Sequence, residues 1–595
     1  MAVMKTPGVY IVEKNAFPNS IVEVATAVPA FIGYTERADN KGKSLTRRPT
    51  RISSISEYQQ YFGVGPTPQF EILDQSTPPV STAFATGGKD YILKPADGLD
   101  GGRYLLYYSI LLFFQNGGGP CYIVSVGNYT TPVISGDDAS GLLSGIPPLV
   151  KEQEPTMVVI PDAVLLEDKA ACISVQQAML KHCGEQHNRV AILDVWGGYR
   201  DRMDSTGDCV DEFRNSLGIN YLSFGTAYYP WVNTTIVQEN ELDYTAIHNR
   251  DKLVELLKND IGGMKDVDPA AANVPLKIKQ QLEALADVTR TDAEWATKLA
   301  PPPTGATAPG GAAAAGGPAP ATGAPAATPG GAAATPGEPA AATGAPASTP
   351  GASPTPGSPP AAPAIIDADM KLAIATHKGL LTSSLRTMSP LFKTILDAIR
   401  HQLNLLPPSA AMAGIYTMVD ATRGVWKAPA NVSLNSVVSP AVSISHAEQE
   451  DLNVTTQGKS INAIRSFIGE GVLVWGARTL DGNSLDWRYI NVRRTLIMLE
   501  ESCRLAAKAL VFEPNVSSTW VTIKSMISNF LNGIWKRGGL AGAVPDDAFS
   551  VHVGLGETMT PDDILEGIMR ITVLVAVSRP AEFIEITFQQ QMQKS

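Results

Sequence analysis

RYLLYYSILLFFQNGGGPCYIVSV, residues 103–126, holds a helix, a stop and a strand in that order. Arg103 to Gln115 is long enough and apolar enough for a buried helix. Asn116-Gly117-Gly118-Gly119-Pro120 ends it, because glycine tolerates the left-handed backbone of a helix terminus and proline cannot continue the ladder. Cys121 to Val126 is then rich in β-branched and aromatic residues, as a strand is. Three more strands in this style follow at Thr156–Ile160, Val190–Val195 and Tyr221–Ala227, with helix-like segments such as Glu167–His182 between them. Strand and helix in alternation predict an α/β layer around a largely parallel sheet.

Upstream, Val28–Thr35 reads as a buried strand leaving through Gly33, and Ser53–Phe62 as a helix behind a serine cap, with Ile55, Tyr58, Tyr61 and Phe62 on one face. Gly8–Glu13 and Ile21–Val24 read as short strands without an obvious partner. Downstream, Lys277–Leu299 has the spacing of a polar amphipathic helix, and helical sequence resumes at Ile366 and reaches Leu406. Past Pro407-Pro408, Ile415-Tyr416, Val425-Trp426 and Val472–Trp475 read as strand pieces. Val492, Leu496, Leu499, Cys503, Ala506 and Leu510 mark a strong helix, and Trp520–Trp535 another. Near the end, Ile584, Ile586 and Phe588 alternate with Glu585 and Thr587, the pattern of a strand with one buried face. A free strand exposes unpaired N–H and C=O groups and invites another chain to pair with it, so two such ends suggest a polymer stitched by strand exchange.

Of the 595 residues, the stretch 301–364 is almost wholly Ala, Pro, Gly, Thr and Ser, with Glu338 its single charge. Within it Ala321–Gly330 (ATGAPAATPG) recurs as Ala342–Gly351 (ATGAPASTPG). Too few large apolar groups are present to offset ordering entropy, so a mobile surface insertion is expected; such insertions cost little in closure entropy. Net charge is −11 with no basic stripe, which argues against wrapping nucleic acid or coating anionic membranes. The first residues show no basic stretch followed by an apolar core, and the longest apolar run, Tyr104–Phe114, is too short to span a bilayer. Five scattered cysteines fit a reducing compartment. Cytoplasmic synthesis of a soluble chain without a signal peptide is the expectation.

No chemistry-bearing motif is complete. Gly42-Lys43-Ser44 lacks the first glycine of a phosphate loop, whose place is taken by Arg37. Cys172, His182, Cys183 and His187 fit no zinc spacing and read as an ordinary helix with two surface histidines. His446-Ala447-Glu448 lacks a second histidine, His552 sits in a strand-like run, and no G-x-S-x-G elbow is present. Catalytic, cofactor-binding and metal sites are all expected to be none, and the chain is read as not an enzyme.

An ordered series of motifs resembles the contractile tail sheath family, which includes phage tail sheaths and phage-like contractile injection systems. The series is Pro7–Tyr10 (PGVY), Thr26–Gly33 (TAVPAFIG), Asn116–Val124 (NGGGPCYIV), Tyr228–Trp231 (YYPW), Pro407–Ser409 (PPS), Ala413–Tyr416 (AGIY), Asp420–Asn431 (DATRGVWKAPAN), Asn462–Phe467 (NAIRSF), Val474–Leu480 (VWGARTL), Trp487–Arg494 (WRYINVRR) and Arg579–Ile584 (RPAEFI). The stretch 301–364 departs from that pattern. The resemblance implies a mixed α/β, multidomain fold: an inner α/β domain built from both chain ends, an outer α/β domain inserted between them, and the Ala/Pro/Gly-rich insertion on the surface. Divided along the chain, this gives an N-terminal strand-exchange arm at 1–25, outer domains at 26–400, an inner domain at 401–578 and a C-terminal arm at 579–595.

The same resemblance implies subunits that polymerise as stacked rings around an inner tube and contract on a signal from the baseplate. Contraction then draws on stored interface energy, with no nucleotide at the site. Partners implied are further copies of the chain, the inner tube protein, and baseplate and tail-terminator or cap proteins, with neither nucleic acid nor direct membrane insertion. The particle is one released from the cell or docked at a membrane. The arms would carry the inter-subunit contacts through Gly8, Val9, Tyr10, Ile11, Val12 and Glu13, and through Phe583, Ile584, Glu585, Ile586, Thr587 and Phe588. Tube attachment in the family is largely polar, and Lys536 and Arg537 are candidates to face an acidic tube, the alternative being a basic helix terminus complementing the dipole. Rival readings are a sheath needing a second sheath protein, and an α/β enzyme.

Overall fold

The computed structural model describes residues 21–75, 83–95, 104–130, 134–261, 274–300, 367–587 and 589. The calls on Gly8–Glu13, on Phe588 and on 301–364 lie outside them. The chain divides into two compact units, Met1–Val288 with Thr382–Ser595, and Thr289–Leu381.

The first unit is built on one nine-stranded sheet. Its strands are β1 (Pro29–Thr35), β2 (Thr50–Ile52), β3 (Cys121–Asn128), β4 (Met157–Val159), β5 (Val190–Asp194), β6 (Gly225–Tyr229), β7 (Val432–Ser433), β8 (Asn462–Phe467) and β9 (Gly471–Trp475), in the order β7-β9-β8-β6-β5-β4-β1-β3-β2. From β8 to β3 every pairing is parallel, while β9, β7 and β2 add antiparallel edges. The parallel centre reads as continuous apolar sequence because it is covered on both faces; every residue of β1 is buried. Helices α1 (Ile55–Phe62), α2 (Leu106–Gln115), α3 (Lys169–Gln186) and α4 (Ser409–Arg423) surround it. Ser54 caps α1 by accepting from the Glu57 N–H.

Two buried aspartates bolt helices to strands. Asp162 accepts from the backbone N–H groups of Tyr34, Leu105 and Leu106, at 2.9, 2.7 and 3.1 Å, joining β1 to the start of α2. Asp194, at the end of β5, accepts from the Ser409 N–H at 2.9 Å and the Ser409 hydroxyl at 2.5 Å, at the start of α4. Burial raises the Asp162 carboxyl to about 6 and that of Asp194 to about 7, against the hydrogen bonds they accept.

Several elements differ from the sequence reading. Ile415-Tyr416 lies inside α4, not in a strand, and Val425-Trp426 forms the turn after it. Gly414, just before Ile415-Tyr416, allows a close helix crossing: a Cβ would press 2.6 Å from the Phe113 carbonyl, where α4 crosses α2. Lys277–Leu299 is two helices, Leu276–Val288 and Asp292–Leu299, the second started by a reciprocal Thr291–Glu294 cap. Tyr221–Phe224 precedes β6 as a single 3-10 turn. Ile21–Val24 is extended but joins no sheet. Strand β8, from the part of the chain after residue 400, pairs with β6, from the part before it. In the second unit, Asp292 pairs with Lys378 at 2.6 Å and the Trp295 ring stacks on His377.

Candidate assembly surface at the chain ends

After the main sheet the chain forms a second layer. Helix α5 (Ile490–Ala507) and helix α6 (Ser517–Lys536) pack with a two-stranded antiparallel sheet, β10 (Phe549–His552) and β11 (Thr572–Val575). On α6, Ile523, Met526, Ile527, Leu531 and Ile534 recur at three- and four-residue steps and bury against Val551 and Val553 beside β10. No third strand pairs with β10–β11 among the described residues; Leu540–Ala541 only touches the chain as it leaves β11.

Both chain ends are rooted on this layer. On the N-terminal side Ile21 enters the core of the α5–α6 layer. The Val24 N–H donates to Ser502 Oγ at 3.2 Å, and Glu23 pairs with Arg537 at 2.6 Å. Thr26 Oγ1 donates to Asp420 at 2.6 Å, and its carbonyl accepts from Arg494 at 2.9 Å. Asp420 and Arg494 themselves form a two-point ion pair at 3.0 and 2.6 Å, with side chains 5% and 4% exposed. A pair so deep in the protein is strongly destabilising to break, because the survivor is left as an uncompensated buried charge.

On the C-terminal side, Glu582 is the last anchored residue. Its carboxylate accepts from Arg478 Nε and Nη2, from Asn453 Nδ2 at 2.9 Å and from the Tyr489 hydroxyl at 3.1 Å. Burial pushes this carboxyl up, but the hydrogen bonds and charge of Arg478, with Asn453 and Tyr489, hold it below the usual glutamate range. Immediately beyond, Phe583, Ile584 and Ile586 are 76%, 79% and 70% exposed, and Glu585 and Thr587 are exposed too. Residues 583–587 make no strand pairing with the described residues. The alternation read from sequence therefore belongs to a segment whose apolar face is open to solvent in the single chain.

The remaining candidates fall as follows. Lys536 is the last residue of α6 and exposed, whereas Arg537 is occupied by Glu23 and lies over the Trp426 ring. His182 is buried, not a surface residue: it faces Arg189 at 3.2 Å, and burial, with Arg189, pushes its imidazole down to about 4. His187 is exposed at the end of α3. Among the described residues no group of three or more His, Cys, Asp or Glu side chains is placed to hold a metal ion, and no helix is long and apolar enough to cross a membrane. Gly42-Lys43-Ser44 lies in an exposed two-residue hairpin. His446 opens a helix capped reciprocally by Ser445 and Glu448, and His552 on β10 pairs with Glu557. What sequence reasoning missed is the set of anchors, Arg478, Glu582, Arg494 and Asp420; they were quoted inside family-like motifs without a role.

One comparison with known proteins falls on this layer. Residues 483–591 match the phage tail sheath C-terminal domain. The tail sheath protein of Vibrio phage KVP40 is 24% identical over 201 residues, which is 33% of this chain and 28% of that protein. The tail sheath protein of Enterobacteria phage T4 is 25% identical over 138 residues, 23% of this chain and 20% of that one. The matched stretches thus span less than a third of either relative. Among solved structures, the helical sheath of the anti-feeding prophage in its contracted state aligns with a TM-score of 0.51 at 24% identity, covering 99% of this chain and 100% of that one. The sheath complex of the extracellular contractile injection system PVC, also contracted, aligns with a TM-score of 0.50 at 23% identity, over 99% of each chain.

Proposed function

We infer that this relative of the contractile tail sheath proteins is a structural subunit of a contractile sleeve, polymerising as stacked rings around an inner tube and driving that tube through a target envelope. The observation that carries the reading is the C-terminal root: a four-hydrogen-bond anchor at Glu582, followed at once by the solvent-facing Phe583, Ile584 and Ile586. Beside it stands β10–β11, a sheet of only two strands. Strands 7–13 and 583–588 of neighbouring copies would extend that sheet, each supplying backbone partners and an apolar face.

The energetics favour many contacts over one. Burying Phe583, Ile584 and Ile586 is worth about 5–9 kcal/mol. Ordering the five residues 583–587 costs about 5–10 kcal/mol of backbone entropy. A single arm pairing is therefore close to balance, and a lattice in which each subunit gives and receives several arms is strongly favoured. Contraction then works as a choice between two packings of the same subunits. The arms keep their strand pairing while the domains re-dock with more buried contact, and the difference in interface free energy does the work. Tube, baseplate and cap proteins are the further partners, with Lys536, exposed at the end of α6, available to an acidic tube.

The test is electron microscopy of the full chain expressed alone and concentrated, beside a chain ending at Arg579. The full chain is expected to form hollow striated tubes of uniform width, and the truncated chain to stay as folded small particles. Tubes of normal length from the truncated chain would overturn the arm reading.

A further inference from the structure

Trp487–Arg494 leads into α5 and forms its first turn, and three of its side chains reach the two chain ends. Tyr489 donates its hydroxyl proton to Glu582, the anchor of the C-terminal arm, at 3.1 Å. Asn491 Nδ2 donates to the Ser578 carbonyl at 3.1 Å, four residues before that anchor, and to the Trp426 carbonyl at 2.8 Å. Arg494 donates to the Thr26 carbonyl at 2.9 Å and to Asp420, which also receives the Thr26 hydroxyl. Asn491 and Arg494 are three helical steps apart, a rise of about 4.5 Å, and Tyr489 is the residue that caps the same helix, so one short stretch holds the roots of both ends. Asn491 and Arg494 are 1% and 4% exposed, so these are built contacts and not surface encounters.

The bracket is itself pinned. The guanidinium of Arg493, between Asn491 and Arg494, lies 3.6 Å from the Phe224 ring centroid on one side and 4.3 Å from that of Trp487 on the other. Phe224 ends the 3-10 turn that leads into β6 of the main sheet. The helix start thus connects three things at once: the main sheet, the N-terminal root and the C-terminal root.

We propose that the start of α5 is a shared bracket fixing the separation of the two arm roots, and that Tyr489, Asn491 and Arg494 are positioning residues for assembly without touching a neighbouring subunit. The proposal rests on the reading of both chain ends as arms. A subunit engaged by one arm finds its second site at an effective concentration set by how well the two roots are held; a loose root spreads that concentration over a larger volume. The same bracket carries both arms as one body when the domains re-dock, so their spacing is preserved through contraction.

The test places spin labels at Val22→Cys and Ala581→Cys in a Cys503→Ser background of the full chain, below the concentration at which sleeves form. Val22 is 80% exposed, Ala581 is exposed, and the four other native cysteines are buried. The unperturbed bracket is expected to give one narrow distance distribution. Asn491→Ala should broaden it and raise the concentration needed for sleeves at least tenfold. Tyr489→Phe, which removes one hydroxyl and keeps the ring, should do both to a smaller degree, and it decides the matter if Asn491→Ala does not fold. An unchanged distribution in the folded variants overturns the bracket, as does a broadened one with unchanged assembly. Failure of the arm reading looks different: the chain ending at Arg579 would still build sleeves, whatever the labels report.

Discussion

The nine-stranded sheet and the two-stranded sheet of the same chain solve the edge problem in opposite ways. The large sheet ends in β7, two residues long, and β2, three residues long, so neither edge offers a template worth extending. The small sheet has two strands of four residues, a size that is marginal alone. It is backed by α6, and farther along the chain the exposed residues 583–587 make no strand pairing among the described residues. On the proposed reading, the first region would supply the fold of the subunit and the second its contacts with neighbouring copies.

The comparison breaks hardest at Gly33. A Cβ there would collide with the Asp162 carboxylate and sit 3.0 Å from Leu106 Cβ. Gly33→Val must displace the group that satisfies three buried N–H donors of β1 and α2. Overpacking costs about 1–3 kcal/mol, and each stranded donor roughly 1–3 kcal/mol more. The substitution is expected to cost more than about 4 kcal/mol, seen as insoluble protein or a large fall in the urea midpoint. Loss of the whole subunit, including the α5–α6 layer, would show that the open region depends on the closed one for its fold.

These two regions were unequally legible in the sequence. Strands β1, β3, β4 and β5 are legible to within two residues, because buried strands are continuous apolar runs and NGGGP is an unambiguous stop; β6 is expected four residues too early, and β8 enters the sequence reading only as a family-like motif. Misreadings occurred where a tertiary contact chose the residue. Ile415-Tyr416 reads as a strand piece, yet it lies in α4 beside Gly414, whose place is set by a helix crossing at the Phe113 carbonyl, over 300 residues away in sequence. Ile21–Val24 looked like a strand because its composition is right, yet its partners are the side chains of Ser502 and Arg537, which no local pattern reveals. At the chain ends the alternation of Ile584 and Ile586 was visible. The anchor at Glu582 was not, since a charge followed by apolar residues has no periodicity and its meaning comes from Arg478, 104 residues earlier.

Acidity should separate the regions by sign. In the closed region, Asp194 has its carboxyl raised from an ordinary 3.8 to about 7 by burial. The folded state therefore holds that proton more tightly than the unfolded chain; the stability this gives is full below about pH 4 and is lost as pH rises through about 7. Asp162, raised to about 6, acts the same way. In the open region Glu582 has its carboxyl lowered, so the anchor contributes above the unfolded glutamate value of about 4.3 and is lost as pH falls below it. Urea unfolding of the subunit is expected to show a stability decline of a few kcal/mol between pH 4 and pH 7 that Asp194→Asn flattens. Sleeve assembly is expected to fail below about pH 4 in a way that Asp194→Asn leaves alone. A single pH profile shared by unfolding and assembly would remove the distinction.

The smallest change in subunit stability should give the sharpest separation of folding from assembly. Ile584 is 79% exposed and unpaired among the described residues, so Ile584→Asp is expected to move the subunit's stability by less than about 0.5 kcal/mol. In a sleeve the same position would lie on the buried face of an added strand. A carboxylate there must shed its water without a partner, at a cost well above the near-balance of a single arm. Glu585 points to the opposite face of that strand, and Glu585→Gln is expected to leave both stability and sleeves intact. Melting curves that superimpose for all three proteins, with sleeves absent only for Ile584→Asp, would place the driving force for assembly on one face of five residues. Equal sleeves from Ile584→Asp would instead mean that the tail's backbone, not its side chains, carries the pairing, and the apolar alternation would lose its role.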